Sequence, residues 1–553
     1  MNLKERNKDI IADILTTEII FIVLFAVYRF FSSDFYGIHS AEEVPLWRIA
    51  YIISGRGNLP SFSGFGYSSF GYSLILAPLV FIFGGGASAY SVALFINTVF
   101  LVASFFIAYK IAIKLFPDVN KYFVKAAAFA VMLLPDIISS AYTTDGVAVS
   151  VFLMFMVLWF FINMDSSKTP LFYAFMGITL SLLLWFCEGT MGIFITGVLA
   201  FSAMIVSKRT DKLSVTAFFS SAGTGFVLFI VLRIIFSVVF ATETEGFSSR
   251  GFLSVLSGRL VYISVSTLLF AFAGLLFAIM GAKNFMGSFI LRYIKKVPAD
   301  EFTQRQLFLM FLIISSVLYF MTDVIASLFA VSPNSILSGK YGGLLLAPLM
   351  LTGILYLSIS GKKAFAFSGI FSGVLILSCA VFNLSGSATM LTGFSPASSA
   401  SVASFMQFGL SSFIIPAIII VAAFVYTFII FISAKKIKPL SVFASVALAV
   451  IFICEGFFAV SRYPLKNQIQ NEITENVISA AVENYSLPLY INIGDNMTSA
   501  EIQFSAKRQN IASITEAEIK ALGRNGLIIT DRKYDGFEIV YEDISGYYIL
   551  VSK

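Results

Sequence analysis

Two adjacent carboxylates, Glu42 and Glu43, stand in the stretch AEEVPLWRIAYIISGR at residues 41–56, just after the first long apolar segment. A carboxylate beside a substrate can act as a general base on an acceptor hydroxyl. A group of carboxylates can instead hold a hard divalent cation that neutralises a phosphate leaving group. The structural alternative is that both acids stabilise the N-terminus of the helix that follows, an effect of about 0.3–1 kcal/mol.

A third acid, Asp145, lies in YTTDGV at residues 142–147, in a turn between two apolar segments. Asp-Gly is by itself an ordinary turn signal. The topology predicted below nevertheless places Asp145 on the same side of the membrane as Glu42. The sequence therefore allows a divalent cation, Mg²⁺ or Mn²⁺, held by Glu42 and Asp145, beside the simpler reading of these acids as catalytic groups.

The composition is that of a polytopic membrane protein. The 553 residues are 58% apolar and only 12% charged, whereas soluble domains contain about 25% charged residues. The single histidine, His39, leaves no Cys/His zinc site and argues against a Ser-His-Asp triad. The net charge of +6 is no evidence for nucleic-acid binding, and the partners expected are membrane lipids.

About thirteen segments are long and apolar enough to cross a bilayer, which takes about 20 residues. The predicted spans are 11–31, 88–109, 124–143, 146–163, 170–187, 190–207, 215–240, 259–281, 306–330, 342–359, 365–382, 407–432 and 440–461. The run 72–83 is left out because it is short, contains Pro78 and ends in three glycines. We expect this run to be interfacial or re-entrant.

The positive-inside rule orients these spans. Most Lys and Arg residues before the last span fall in alternate loops, beginning with the N-terminus. The opposite loops hold only Arg29, Arg48, Arg56, Arg250, Arg259 and Lys340. We therefore predict a multi-pass protein of the cell membrane with a cytoplasmic N-terminus and a large first outer loop at residues 32–87.

The Lys and Arg residues in the predicted outer loops are informative because the positive-inside rule disfavours them there. Arg56, Arg250, Arg259 and Lys340 are the candidates for binding an anionic ligand such as a lipid phosphate. The alternative is that they are solvated anchors whose side chains reach the membrane interface.

The composition changes near residue 462, which divides the chain into a transmembrane domain at 1–461 and a C-terminal domain at 462–553. In the second part, helix-like stretches alternate with β-rich ones. We predict helices at 467–484, 499–507 and 515–523 and strands at 487–493, 526–531, 537–542 and 547–553. The C-terminal part is thus expected to be a small extracytoplasmic α/β domain.

The ordered set of motifs resembles the GT-C superfamily of polyprenyl-phosphate-sugar-dependent glycosyltransferases. The layout is most similar to the protein O-mannosyltransferase and lipid A aminoarabinose transferase branch. The likeness rests on AEEVPLWRIAYIISG (41–55), FGYSLILAPLVFIFG (70–84), YTTDGV (142–147) and SGKYGGLLLAPL (338–349). It covers the first 210 residues or so in layout and the rest by topology alone.

The resemblance implies a GT-C fold and an inverting membrane glycosyltransferase, a hexosyl- or pentosyltransferase. It would move a sugar from a polyprenyl-phosphate donor to a cell-envelope acceptor on the extracytoplasmic face. By likeness of motif, Glu42 takes the position of the catalytic Asp, Glu43 that of the following Glu, and Asp145 that of the second acid. Lys340 takes the position of a donor-phosphate contact, with Arg250 and Arg259 as further candidates.

Two departures from the family pattern are visible. Glu42 is one methylene longer than the usual Asp, and the stretch GFGYSSFGY (64–72) lacks the basic residue of the aminoarabinose transferases. Two other classes therefore stay open, a transporter of lipids or glycans and an inactive GT-C-like scaffold. A transporter would be expected to show an internal repeat and charged midplane helices, and the sequence shows no repeat.

Overall fold

The computed structural model describes most of the chain, with gaps. The described residues are 11–12, 15–26, 43–57, 69–141, 143–164, 168–206, 211–239, 252–295, 303–328, 343–360, 362–384, 414–436, 442–454, 488–494, 496–505, 511–521, 526–542 and 547–552. Glu42, Arg250 and Lys340 lie outside these residues, and so does the predicted helix 467–484.

Seventeen helices form the described part of the N-terminal bundle. They are α1 (Leu15–Ala26), α2 (Val44–Ile53), α3 (Gly71–Phe83), α4 (Gly86–Leu115), α5 (Lys121–Met132), α6 (Pro135–Ser139), α7 (Val147–Asn163), α8 (Pro170–Phe186), α9 (Met191–Val206), α10 (Lys212–Val239), α11 (Phe252–Ser266), α12 (Phe270–Phe289), α13 (Gln304–Leu328), α14 (Gly343–Ser360), α15 (Lys362–Leu384), α16 (Ile414–Lys436) and α17 (Val442–Cys454). Short 3₁₀ and π turns at Glu188–Thr190 and Ile290–Ile294 adjoin α9 and α12.

The helices follow the predicted spans closely because apolar length dominates both. Among the described residues, α4, α10, α12 and α13 are each long and apolar enough to cross a membrane, and shorter apolar helices surround them. The run left out of the spans is the separate short helix α3, with Pro78 inside it and Gly84 in the left-handed region after it. The predicted polytopic α-helical fold is confirmed, whereas the orientation of the termini stays a prediction.

Two predicted spans are each divided between two helices in the structure. The span 124–143 is α5 and α6, which are separated just before Pro135, and the span 259–281 is α11 and α12. Helix α11 ends at Ser266 and α12 begins at Phe270, and Leu268 and Leu269 between them have φ values of 46° and 65°. Non-glycine residues rarely adopt the left-handed region, which costs about 1–2 kcal/mol per residue. No glycine or proline marks this break in the sequence, so the apolar pattern predicted one continuous span across it. As a result, Arg259 lies on a helix separate from the span that follows.

Helices α12 and α14 cross at two glycines. A Cβ atom added at Gly274 would lie 1.8 Å from the carbonyl oxygen of Leu349, and one at Gly353 would lie 2.0 Å from that of Phe270. The two backbones are therefore in direct contact. Small residues allow such close approach of helices within membranes, where packing rather than the hydrophobic effect drives association.

Gly274→Ala is expected to lower the free energy of unfolding by about 1–3 kcal/mol, since overpacking a tight contact costs this much. The added methyl group would force α12 away from α14. Gly373→Ala in α15 is the matched control, because nothing lies within 4 Å of its Cβ position. Thermal unfolding of the purified variants would measure the difference. Equal destabilisation by both variants would show that the α12–α14 contact is not tight.

The described C-terminal residues form a five-stranded sheet with two helices. The strands are β1 (Leu489–Asn492), β2 (Ala512–Ser513), β3 (Leu527–Thr530), β4 (Phe537–Glu542) and β5 (Tyr548–Ser552), and the helices are α18 (Asn496–Ser505) and α19 (Glu516–Ala521). The strand order is β2-β1-β3-β5-β4. Strands β2, β1 and β3 are parallel to one another, and β5 is antiparallel to both of its neighbours, β3 and β4. The predicted C-terminal α/β fold is confirmed, and the two-residue strand β2 was missed. The boundary at 461/462 falls outside the described residues and stays a prediction.

Candidate functional site

Glu43 is fully buried and reaches across the bundle. Its Oε2 accepts hydrogen bonds from the Tyr90 hydroxyl at 2.8 Å and from the Thr144 backbone N–H at 2.9 Å. The Thr144 hydroxyl also donates to the same oxygen, at 2.5 Å. The carboxylate makes no side-chain capping bond to its own helix α2. Glu43 therefore links α2 to α4 and to the segment before α7. Its side chain does not cap α2, so the structural alternative considered for Glu43 does not apply.

Trp47 completes this network one turn along α2. Its Nε1 donates to the Thr144 hydroxyl at 2.8 Å, and its ring stacks on Tyr90 with centroids 6.0 Å apart. Trp47, Tyr90 and Thr144 are all buried. Since the Thr144 hydroxyl accepts from Trp47, its own proton is directed to Glu43. We call Glu43, Trp47, Tyr90 and Thr144 the Glu43 network.

Asp145 directly follows the network and is bound to the start of α7. Its Oδ1 accepts from the Val147 backbone N–H at 3.0 Å. Gly146 has a φ of +82°, and a Cβ atom there would lie 3.0 Å from the Cβ of Tyr72. Glycine is required on both counts, since a side chain would strain the backbone and press on α3. The Asp-Gly pair thus forms a tight, buried turn against Tyr72.

Tyr72 lies within electrostatic reach of both acidic stretches. Burial raises the pKa of its hydroxyl well above the usual value, and the charges of Asp145 and Glu43 raise it further. The neutral hydroxyl donates to Asn97 Oδ1 at 2.7 Å. Asn97 in turn donates to the carbonyl oxygens of Ser140 and Thr143, at 3.1 and 2.8 Å. Helices α3 and α4 thereby hold the residues that lead into Thr144.

Arg259 lies on α11 and is not a member of the Glu43 network. Its Nη2 donates to Asp323 at 2.9 Å and to the Ser327 hydroxyl at 2.7 Å, both on α13. Arg259 is buried, whereas the Asp323 side chain is 36% exposed. On the same helix, the Tyr262 hydroxyl donates to Asp136 of α6. Helix α11 is therefore joined by polar contacts to α6 and α13.

A largely apolar cavity lies beside Arg259 and Asp323. Its volume is about 300 Å³, and the polar residues of its lining are Arg259, Tyr262, Ser316, Tyr319 and Asp323. The remainder of the wall is apolar and comes from helices α11 to α14, for example Phe272, Phe320 and Leu345. An apolar cleft with a few polar groups is the usual form of a small-molecule or lipid site.

The other candidates are placed as follows. Arg56 donates from Nη2 to the carbonyl oxygen of Phe81 at 3.1 Å, near the C-terminus of α3, where a cation is favoured by the helix dipole. Among the described residues, no three His, Cys, Asp or Glu side chains come together as a metal site would need. The structure brings Glu43 close to Asp145, and it leaves the roles predicted for Arg56 and Arg259 as predictions.

The sequence patterns did not identify several residues of the site. Tyr90, Thr144 and Trp47 read as ordinary members of apolar or turn segments. Asn97 and Asp323 carried a usable signal, since polar side chains inside membrane helices are costly and functional by default.

No protein-family model matches the sequence, and no curated protein matches it. Solved structures do. The chain is similar to ArnT from Cupriavidus metallidurans bound to undecaprenyl phosphate, at 13% identity and a TM-score of 0.53, over 97% of each chain. The apo form of that protein matches with the same identity and TM-score, over 96% of this chain and 97% of that one. The oligosaccharyltransferase of Archaeoglobus fulgidus matches at 12% identity and a TM-score of 0.41, over 93% of this chain and 65% of that chain. The likeness to the two ArnT structures confirms the predicted GT-C-like fold.

Proposed function

We propose that this protein is a membrane glycosyltransferase that uses a polyprenyl-phosphate-linked sugar. The observation that carries the proposal is the bond between Glu43 and Thr144. These residues are 101 positions apart in the chain, and each is the direct neighbour of a predicted catalytic acid, Glu42 or Asp145. Consecutive Cα atoms are about 3.8 Å apart, so the bond supports the proposal that the two acidic stretches form one site.

The proposed reaction is an in-line displacement with inversion. Glu42 removes the proton of the acceptor hydroxyl while the acceptor oxygen forms a bond to the anomeric carbon. The bond between that carbon and the phosphate oxygen breaks, and polyprenyl phosphate leaves as the anion. The proton stays on Glu42 until it passes to water. Glu43 serves as a positioning residue, because its oxygen already accepts three hydrogen bonds.

The apolar cavity beside Arg259 is proposed to take part of the carrier's isoprenoid chain. A guanidinium has five N–H donors in a planar fork suited to phosphate. Arg259 donates from its Nη2 to Asp323 and Ser327. We assign the binding of the leaving phosphate to the Arg259 guanidinium together with Arg250 and Lys340. ArnT, whose fold this chain shares, has been solved bound to undecaprenyl phosphate, which is consistent with such a carrier.

No step of the proposal passes through a metal. Glu43 Oε2 and Asp145 Oδ1 both accept hydrogen bonds from N–H or O–H donors. A Mg²⁺ or Mn²⁺ ion would need Glu42 and further oxygens beyond these. Titration with a chelator during the transfer assay distinguishes the two cases, with unchanged transfer expected.

The proposed function is tested with the purified protein in lipid vesicles. A radiolabelled polyprenyl-phosphate sugar and a membrane extract as the acceptor source are added, and free polyprenyl phosphate and labelled product are measured. Release of both in equal amounts is expected. Donor that moves between leaflets without being cleaved would instead favour the transporter, and no change in the donor would favour the scaffold.

Arg259→Leu is expected to abolish measurable binding of polyprenyl phosphate and to lower stability by about 1–3 kcal/mol. The expected loss of stability is smaller than for breaking a fully buried ion pair, because Asp323 is partly exposed. The double variant Arg259→Leu/Asp323→Leu should recover most of the stability and none of the binding. Asp323→Asn should retain binding. Wild-type affinity in the double variant would refute the role given to Arg259.

A further inference from the structure

Helix α18 of the C-terminal domain belongs to two hydrophobic cores at once. Ala500 and Phe504, four residues apart and so on one face, are buried in the core of the membrane domain. Ile502 is buried in the core of the sheet with Leu489 and Ile529. The helix is thus fixed to the sheet on one side and to the bundle on the other.

The side chain of Phe504 inserts among three aromatic rings of the membrane domain. Its ring centroid is 4.9 Å from that of Trp47, 6.4 Å from Tyr90 and 6.5 Å from Tyr51. All three contacts are edge-to-face, with interplanar angles of 66°, 79° and 69°. This is a favoured arrangement for aromatic pairs, and Phe504 is completely buried by it.

Two of these rings are the ones that hold Glu43 in place. Trp47 donates to the Thr144 hydroxyl, and Tyr90 donates to the Glu43 carboxylate. Their polar edges therefore point into the Glu43 network while Phe504 packs against the same rings. A ring free to turn would lose its hydrogen bond, so the packing of Phe504 and the geometry of the carboxylate are coupled.

We propose that Phe504 is a positioning residue for the candidate active site, supplied by the C-terminal domain. The inference rests on the proposed function for its catalytic meaning, and on the contacts of Phe504 for its structural part. The C-terminal domain is then a component of the site, since it packs directly on the rings that orient Glu43. Its removal should loosen the two acidic stretches even where the bundle stays folded.

Hydrogen exchange tests the structural part without any substrate. In Phe504→Ala, the amide of Thr144, which donates to Glu43, is expected to exchange about 10-fold faster, since local opening sets its protection. Phe537→Ala is the matched control, because Phe537 packs on the opposite face of the same sheet, away from the bundle. Amides of β3 report whether the C-terminal domain is folded in each variant.

The outcomes separate cleanly. Faster exchange at Thr144 with unchanged exchange in β3, seen in Phe504→Ala and absent in Phe537→Ala, supports the inference. Unchanged exchange at Thr144 overturns it, as does an equal effect of both substitutions. Should Phe504→Ala unfold the sheet, Phe504→Leu keeps the apolar bulk and loses the ring, and the same criteria apply to it.

Transfer kinetics address the catalytic part. Phe504→Ala is expected to lower kcat about 10-fold while KM for the donor stays unchanged, because the residue orients the acids and touches no substrate. A wild-type protein that transfers no sugar would defeat the proposed function and leave the exchange result standing. Normal kcat in Phe504→Ala, with faster exchange at Thr144, would reduce Phe504 to a docking contact and overturn the positioning role.

Discussion

Glu42→Gln is expected to reduce sugar transfer by about 1,000-fold, within the range that a general base contributes. Glutamine keeps the size and the hydrogen-bonding shape of the side chain but cannot accept the proton. Donor binding should be unchanged, because Glu42 acts on the acceptor hydroxyl. The measurement is the single-turnover rate with saturating donor, which separates the chemical step from product release.

Glu42→Asp is the matched control for this loss. It keeps a carboxylate and shortens the side chain to the length typical of the family that the sequence resembles. It should retain transfer to within about 100-fold, the loss that a misplacement of about 1 Å can produce. A larger loss in Glu42→Asp than in Glu42→Gln would show that side-chain length, and not proton acceptance, is what position 42 requires. A wild-type rate in Glu42→Gln would refute the base assignment.

Glu43→Ala is expected to lower the free energy of unfolding by about 3–9 kcal/mol and to abolish transfer. The substitution leaves the Tyr90 hydroxyl and both donors of Thr144 buried without the acceptor they share. Each unsatisfied buried donor costs about 1–3 kcal/mol. Reversible unfolding in mixed micelles, followed by far-ultraviolet circular dichroism, would measure the loss.

Tyr90→Phe separates the hydrogen bond from the packing. It removes one donor to Glu43 and leaves the ring stacked on Trp47, so the cost should be only about 0.5–1.5 kcal/mol. Transfer should fall less than in Glu43→Ala. If Tyr90→Phe were as damaging as Glu43→Ala, the carboxylate would not be the centre of the network.

The membrane helices could be predicted because bilayer thickness imposes one length on every span. Helix α9, for example, runs from Met191 to Val206, close to the predicted span 190–207. Two predicted spans are broken in the structure. The span 124–143 is interrupted before Pro135, and the span 259–281 is interrupted at Leu268 and Leu269, where no glycine or proline signals the break in a continuous apolar pattern. In the C-terminal domain, β4 coincides with its predicted range, whereas β2, with two residues, is too short to show alternation.

The candidate site was only half visible in the sequence. Acids stand out in a chain with so few charges, which is why Glu43 and Asp145 could be singled out. The partners of Glu43 could not be identified, because the Tyr90 and Thr144 side chains come from 47 and 101 residues further along the chain. Charge patterning placed both acidic stretches on one side of the membrane, and it carries no information on which polar side chains meet there.

The placement of Phe504 has a consequence for the order of biosynthesis. A ribosome makes the chain from its N-terminus, so Glu43, Tyr90 and Thr144 are all inserted long before α18 exists. The aromatic cover over Trp47 and Tyr90 is added only once α18 has been translated. A truncated product that lacks α18 would therefore contain every predicted acid and base, yet leave the rings that orient Glu43 without their final contact. Assembly of the site in this fold therefore waits for α18.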